Sequence, residues 1–389
     1  MGVRLTCDVV VVGAGLVGCA LAASLAGRGV DVVLIDRKSS ARAKVCGEGL
    51  MPRGVSCLAA LGLLEEVVSA GARPFSGIRW RAGGAVATGR FPGGGVGLGV
   101  RRDDLDARMR ARASAVCRVM APVKVLRVGA PGEVLTDCGP VQGRLVIGAD
   151  GLHSVVRRTA GLAGKPTLRP RYGARLHWTL RDHEDADVVE VLVGPDAELY
   201  LTPTGPSEIN VAFLLEERPA RALSGDLPGG LGRLLDSFPA MNDLRSRATV
   251  VTEPALVGPL RQACAGVSAN RLLLVGDAAG FLDGITGEGM SLGLLAAERM
   301  TDFVTAALAA DRLDAVHLGK WDPVWRELRR DHVAMTELVL WWVRHPFLAR
   351  RIVQRLGARP HLFDTLLGVN DGTLSGKKAV WALLRLLTC

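Results

Sequence analysis

The sequence is poor in aromatic residues and poorer still in lysine. Its 389 residues include eight Phe, seven Trp and two Tyr, and only seven of its 48 Lys and Arg residues are Lys. The net charge of +9 is therefore carried almost wholly by arginine, a balance that suits an anionic cofactor, an anionic membrane or nucleic acid. No nucleic-acid-binding signature accompanies it, so that partner is not expected. The eight cysteines contain no CxxC pair and no His and Cys cluster at zinc spacing, which argues against a dithiol redox motif and a metal site. A reducing, cytoplasmic setting fits this usage. No apolar run approaches the ~18 residues of a bilayer-spanning helix; the best attempt, Leu338 to Val343, is stopped by Glu337 and Arg344. The N-terminal valine run passes straight into glycines, without the h-region or cleavage site of a signal peptide. A soluble or at most peripheral protein is expected.

What the chain does have is glycine, 48 residues of it, within an ordinary globular balance of 49% hydrophobic and 22% charged residues. Its length suggests two or three cooperating units. Val9 to Val12 is a β-branched run of the kind buried on both faces in a parallel sheet. It enters Gly13-Ala14-Gly15-Leu16-Val17-Gly18, then a helix-period segment from Leu16 to Arg28, then a second apolar strand, Asp31 to Ile35, ending in Asp36. Strand, glycine turn, helix, strand and terminal acid make a βαβ dinucleotide fingerprint. Gly13 permits the tight turn, Gly15 lets backbone approach a pyrophosphate at the helix N-terminus, Gly18 allows close helix packing, and Asp36 can accept hydrogen bonds from a ribose. The fingerprint alone does not choose between FAD and NAD. No second GxGxxG followed by an acidic strand end occurs, so a separate nicotinamide domain is not expected.

Three later segments are more selective. The strand Arg144 to Ile147 runs into Gly148-Ala149-Asp150-Gly151, with Ser154 and Arg157 downstream. The strand Leu272 to Val275 runs into Gly276-Asp277-Ala278-Ala279-Gly280 and, through Ile285-Thr286-Gly287-Glu288-Gly289-Met290, into a helix from about Ser291 to Leu308. Arg102, Leu105, Asp106 and Met109 follow an R-x-x-L-D-x-x-L helix start. In this order and at these separations they resemble the glutathione-reductase-type FAD fold of the para-hydroxybenzoate hydroxylase superfamily, over roughly residues 5–310. That superfamily includes aromatic hydroxylases, epoxidases, flavin-dependent halogenases and geranylgeranyl reductases. The resemblance implies an α/β protein with a Rossmann-like FAD-binding fold, an inserted antiparallel β-sheet substrate domain and a helical C-terminal segment. It implies FAD contacts from Gly13, Ala14, Gly15, Val17, Gly18, Asp36 and Arg37, from Arg102, and from Asp277 on the ribityl chain. Backbone N–H groups around Gly287, Gly289 and Met290 would face the flavin, where a helix N-terminus favours the anionic reduced form. Asp150 and Gly151 fall near the pyrophosphate and in NAD(P)H handling, with NAD(P)H as the expected reductant.

The FAD-binding unit is expected over residues 1–72, 102–170 and 264–315, and a substrate sheet over 73–101 and 171–263. Six segments there alternate as strands do: GIRWRA, AVATGRF, YGARLHWTL, DVVEVLV, ELYLTP and EINVAFL. Arg218 to Gly230 reads as a flexible turn region. Lys44-Val45-Cys46-Gly47-Glu48-Gly49-Leu50-Met51-Pro52 is similar to the K-x-C-G-x-G-L stretch of geranylgeranyl reductases, and its G-E-x-L-x-P part also to flavin halogenases. The resemblance puts Cys46 near the flavin as a candidate catalytic proton donor, and Lys44 or Arg42 near the FAD phosphates; packing in a turn is the other reading of Cys46. The isoprenoid reductases' Y-x-W-x-F-P stretch is missing, since Glu198, Tyr200 and Thr202 stand at its aromatic places, and so is the W-x-W-x-I-P of tryptophan halogenases. His177, Tyr200 and Thr202 lie on expected strands and read as structural.

Residues 316–389 turn helical, broken at Pro346, with twelve basic against six acidic residues. Trp341, Trp342 and Trp381 beside those basic residues would suit a headgroup interface. A helical cap with a basic outer face and a peripheral membrane contact are both open readings. The expected activity is an FAD-dependent oxidoreductase acting on a hydrophobic small molecule, with monooxygenation through a flavin hydroperoxide first. A C=C reductase for an isoprenoid or lipid and a flavin electron carrier without oxygen chemistry are the alternatives. The oligomeric state is not legible.

Overall fold

A computed structural model describes residues 5–41, 43–165, 169–180, 187–223 and 225–387. The elements that position the site run, in chain order, β1 (Leu5–Val12), α1 (Leu16–Ala26) and β2 (Val32–Ile35); β3 (Gly77–Ala82), β4 (Ala85–Arg90), α2 (Arg102–Ser114) and β5 (Gly139–Gly148); β6 (Arg171–Leu180), β7 (Val188–Val193), β8 (Ala197–Gly205) and β9 (Glu208–Glu216). β10 (Leu272–Leu274), α3 (Gly289–Ala309), α4 (Trp321–Val343), α5 (Pro346–Ala358), α6 (Pro360–Asn370) and α7 (Gly376–Leu387) follow.

β1 is the middle of a parallel array, with β2 on one side, β5 on the other, and β10 beyond β5. Val9 to Val12 are buried, as a strand covered on both faces must be. Because the chain leaves β1 toward one side and returns on the other, a crevice opens at its C-terminal end, where α/β sheets bind ligands.

All six strand-like segments pair into a second sheet, in the order β6, β9, β8, β7, β3, β4. The expected antiparallel sheet needs one correction: β7 and β3 pair in parallel. Those two strands come from different insertions, so no hairpin fixes their relative direction. Alternation divides the sheet cleanly. Ala174, Leu176 and Trp178 of β6 join Val211 and Phe213 of β9 in a core on one face. The opposite face carries Trp80, Val191, Tyr200, Ala212 and Leu214 into a core shared with the C-terminal helices. The expected turn region Arg218 to Gly230 is helical at both ends, in the short helices Glu217–Ala222 and Leu227–Asp236. Asp226 caps the second by accepting from the Gly229 N–H at 2.9 Å, and Leu231 and Leu235 are buried in the first of these cores; tertiary burial outweighs the glycines.

Pro346 does break the tail, as the first residue of α5. Helices α4 to α7 roof the second sheet. Trp342 meets Trp80 with ring centroids 6.0 Å apart, and a Cβ on Gly89 would stand only 2.7 Å from Phe363, so α6 sits directly on β4. Trp342 is buried, whereas Trp341 and Trp381 are exposed.

Candidate active site

A single cavity of about 900 Å³ runs from the end of β1 to the underside of the helical roof. Of the residues the sequence singles out, Gly13, Ala14, Gly15, Val17, Asp36, Arg37, Lys44, Cys46, Arg102, Asp150, Gly151, Asp277, Gly287, Gly289 and Met290 all line it. Gly18 does not. It lies where α1 crosses the turn, and a Cβ there would stand 1.9 Å from the Gly13 carbonyl oxygen, which is the close-packing role expected of it. Gly13 has φ of 106° and would drive a side chain into the backbone of Ala149 and Asp150. Helix α1 starts at Gly15 without a side-chain cap, so its first N–H groups are free for an anion. Asp36 accepts from the Ala14 N–H at 2.7 Å and so braces the turn.

The Asp-Gly turn is fixed by the helix that follows it. The Asp150 carboxylate accepts from Ser154 Oγ at 2.5 Å and from the Val155 and Val156 N–H groups, capping the next helix while its backbone meets Gly13. Arg157 is turned away from the cavity: its guanidinium donates to the Asp277 and Ala278 carbonyls at 3.1 and 3.0 Å. It thus ties the Asp150 turn to the Asp277 turn. Asp277 itself has no hydrogen-bond partner for its carboxylate among the described residues, and burial raises its pKa while Arg102, Lys44 and Arg157 pull the other way. An acid left in this state beside the crevice is available to a ligand hydroxyl.

Asp106, which the sequence placed in a motif without giving it a task, anchors the basic side of the cavity. Buried on α2, it accepts from Arg102 Nη2 at 3.0 Å and pairs with Lys44 Nζ at 3.0 Å. Burial alone would raise its pKa, but Arg102 and Lys44 outweigh that and hold it below the ordinary range. Lys44 Nζ stands over the glycine turn, 2.6 Å from where a Gly15 Cβ would be. Arg42 lies outside the described residues. Cys46 is half-buried and its Sγ accepts from the Glu48 N–H at 3.4 Å, with the Arg102 guanidinium beside the thiol. At the far side, α3 begins at Gly289 with no side-chain cap, and Gly287 has φ of 71°. Glycine turns, two uncapped helix ends, paired cations and an unpartnered carboxylate fit a dinucleotide with a redox-active ring.

Beyond that ring position the walls become apolar: Ile78, Trp80, Val191, Tyr200, Trp342, Val353 and Phe363. Of the three residues at the missing aromatic stretch, Tyr200 still faces the flavin-side loop, donating to the Ile285 carbonyl at 3.1 Å. Thr202 lines the cavity, and Glu198 instead pairs with Arg171 at 2.5 Å, which also pairs with Asp283. The aromatic surface comes from Trp80 and Trp342, which lie outside any motif.

Fold and site define an FAD-binding oxidoreductase. The FAD binding domain family matches residues 6–131. A menaquinone reductase of Mycolicibacterium smegmatis is 30% identical over 363 residues, 84% of this chain and 81% of that one. The chain belongs to the para-hydroxybenzoate hydroxylase and geranylgeranyl reductase superfamily of FAD-dependent enzymes. Digeranylgeranylglycerophospholipid reductase 2 of Methanopyrus kandleri is 27% identical, covering 82% of each chain. A 3-amino-4-hydroxybenzoate 2-monooxygenase of Streptomyces cremeus is 34% identical but over only 39% of this chain and 41% of its own. Among solved structures, a flavoprotein/dehydrogenase from Cytophaga hutchinsonii superposes with a TM-score of 0.83 at 18% identity, covering 98% of this chain and 96% of that one. A flavin-dependent brominase gives 0.80 at 16% identity, covering 98% and 99%; both share the fold.

Proposed function

We propose that the protein saturates a C=C bond in the polyprenyl chain of a lipid-like substrate. The observation that carries this reading is the cavity, whose flavin end opens into a long apolar chamber between the sheet and the helical roof. It suits a flexible hydrocarbon better than a small polar ring. Relatives matched across most of their length are named for reduction of a prenylated quinone or a prenylated phospholipid, whereas the monooxygenase match covers less than half of either chain. Reductase chemistry, an alternative from sequence, is therefore placed ahead of oxygen insertion.

Bound FAD, once reduced, would supply the hydride. The chain's own residues bind and orient the cofactor, exclude water, and hold a proton at Cys46 Sγ for the second alkene carbon. NAD(P)H is the proposed electron source, binding transiently. The test is anaerobic turnover of a menaquinone with chemically reduced holoprotein, read by mass spectrometry. Once any quinol has been reoxidised with ferricyanide, a quinone still heavier by two hydrogens supports the reading. A product containing oxygen, formed only in air, overturns it in favour of monooxygenation. Cys46→Ala is expected to keep FAD and lower turnover by about 100-fold, in the range of a lost acid catalyst; unchanged turnover would remove Cys46 from the mechanism.

A lipid substrate calls for a surface that meets a membrane, and α7 supplies one. Among the described residues no helix is long and apolar enough to cross a bilayer. On α7, Val380, Trp381 and Leu384 are exposed beside Lys377, Lys378 and Arg385, with no acid in the helix. Its buried Ala379, Ala382 and Leu386 belong to the same core as the cavity wall. A helix apolar on both sides and basic at its edges suits an anionic interface. Trp381→Ser combined with Leu384→Ser is expected to weaken sedimentation with phosphatidylglycerol-containing vesicles by about tenfold. Equal binding by the variant and the parent protein would leave α7 as a cap only.

A further inference from the structure

The loop that carries Cys46 is gripped from below by a row of buried polar side chains that no motif predicts. Across the second sheet, His177 of β6 faces Asn210 of β9, and Asn210 faces Thr202 of β8. All three are at most 1% exposed, on the cavity face of strands whose other face is wholly apolar. Buried polar groups in such a row are costly unless partnered. For Asn210 and His177 the loop supplies partners. Asn210 Nδ2 donates to the Cys46 carbonyl at 2.9 Å, and Arg175 Nε donates to the Lys44 carbonyl at 3.3 Å. His177 Nε2 lies 2.7 Å from Glu48 Oε2.

Glu48 is the unusual member. Its φ of 57° is in the left-handed region, where glycine or asparagine is ordinary and a longer side chain is not. It is nevertheless 1% exposed, and its carboxylate is fully used: Oε1 accepts from the Arg102 N–H at 2.9 Å, in the first turn of α2, and Oε2 takes the histidine. Arg175 Nη1 lies 3.2 Å from His177 Nδ1. A guanidinium can only donate, so Nδ1 is the acceptor and Nε2 carries the hydrogen aimed at Glu48. The pair therefore joins three bodies at one point: the sheet, the start of the helix that bears Arg102, and the turn two residues after Cys46.

We propose that Glu48 and His177 are positioning residues that lock the Lys44 to Glu48 loop, and with it the Cys46 thiol, against the cofactor cradle. A strained residue whose carboxylate is held on both sides is over-determined, as a fixed catalytic loop requires. Without the pair, Glu48 would relax from its left-handed conformation and Cys46 would lose the N–H that now addresses its sulfur.

The inference rests on the reductase reading only for its kinetic arm; its first readout needs no substrate. Cys46 alkylation by iodoacetamide, followed by peptide mass spectrometry on the full-length holoprotein, reports loop locking directly. His177→Leu is expected to speed Cys46 alkylation by about tenfold and lower kcat by about tenfold to a hundredfold, with KM and FAD content nearly unchanged, as for a displaced catalytic group. His177→Gln, which keeps an N–H donor, is expected to restore most of both. Should His177→Leu fail to fold, Glu48→Gln takes its place, because it retains an acceptor for the Arg102 N–H while altering the histidine contact. Alkylation of Cys46 at the parent rate in either folded variant overturns the proposal. So does a Gln variant no better than the Leu variant. Fast alkylation together with failure of the anaerobic menaquinone assay in every protein would sustain the clamp and sink the reductase reading.

Discussion

Gly18→Ala is expected to yield a folded, colourless protein whose affinity for FAD has fallen by about a hundredfold or more. A methyl group on Gly18 would lie 1.9 Å from the Gly13 carbonyl oxygen and 3.1 Å from its carbon. Neither neighbour is a flexible side-chain end. α1 must therefore withdraw from the turn, and the uncapped N–H groups at its start leave the place where a pyrophosphate would be held. Buried small-to-large changes commonly cost about 1 to 3 kcal/mol in stability, which a protein of this size can absorb, so the main loss falls on the cofactor. Gly232→Ala is the paired control. Gly232 is a helical residue of Leu227–Asp236 away from the cavity, where a Cβ would meet only Arg245 Nη2 at 3.7 Å, and FAD content should stay at the parent level. The measurement is flavin absorbance per protein after purification, with circular dichroism to establish folding. Full FAD occupancy in Gly18→Ala would mean that the first turn is not the cofactor cradle.

Sequence and structure agree best where the signal is local. The βαβ turn is legible because each of its requirements, a strand buried on both faces, a backbone that tolerates φ of 106° at Gly13, and an acid at the next strand end, leaves a residue type at a fixed spacing. The six strands of the second sheet are legible by alternation. The direction of β3 against β7 is not, since period-two patterning is the same in both senses. Trp341 and Trp342 show the same limit: adjacent residues in one basic helix point to opposite environments, one exposed and one against Trp80. Helical phase alone cannot say which face will meet a strand about 260 residues earlier. His177 read as a lone strand histidine because its partner, Glu48, is 129 residues away. A retrospective signal does exist. His177 and Asn210 are polar residues on the inward face of strands whose opposite face is apolar, and buried polar groups imply partners.

The apolar chamber leads to the second large effect. Ala349→Trp is expected to lower kcat/KM for a long-chain menaquinone by at least about a hundredfold, a loss of some 2.7 kcal/mol, while leaving FAD content and its chemical reduction at parent values. Ala349 is 3% exposed on α5 and lines the cavity with Val353, one turn further along. The helix cannot retreat to make room. At Gly357 its backbone is so close to β4 that a Cβ would stand 2.3 Å from the Val86 carbonyl oxygen, and β4 is itself paired to β3 along its length. An indole at position 349 must therefore project into the chamber, on the side remote from the glycine turn. A substrate with a single short prenyl unit needs less of that chamber and should keep most of its rate. Loss of both substrates alike would mean that the variant disturbs the flavin end, and retention of both would place the hydrocarbon elsewhere. The contrast between chain lengths, with cofactor loading held constant, separates a chamber that measures the prenyl chain from one that merely closes over the flavin.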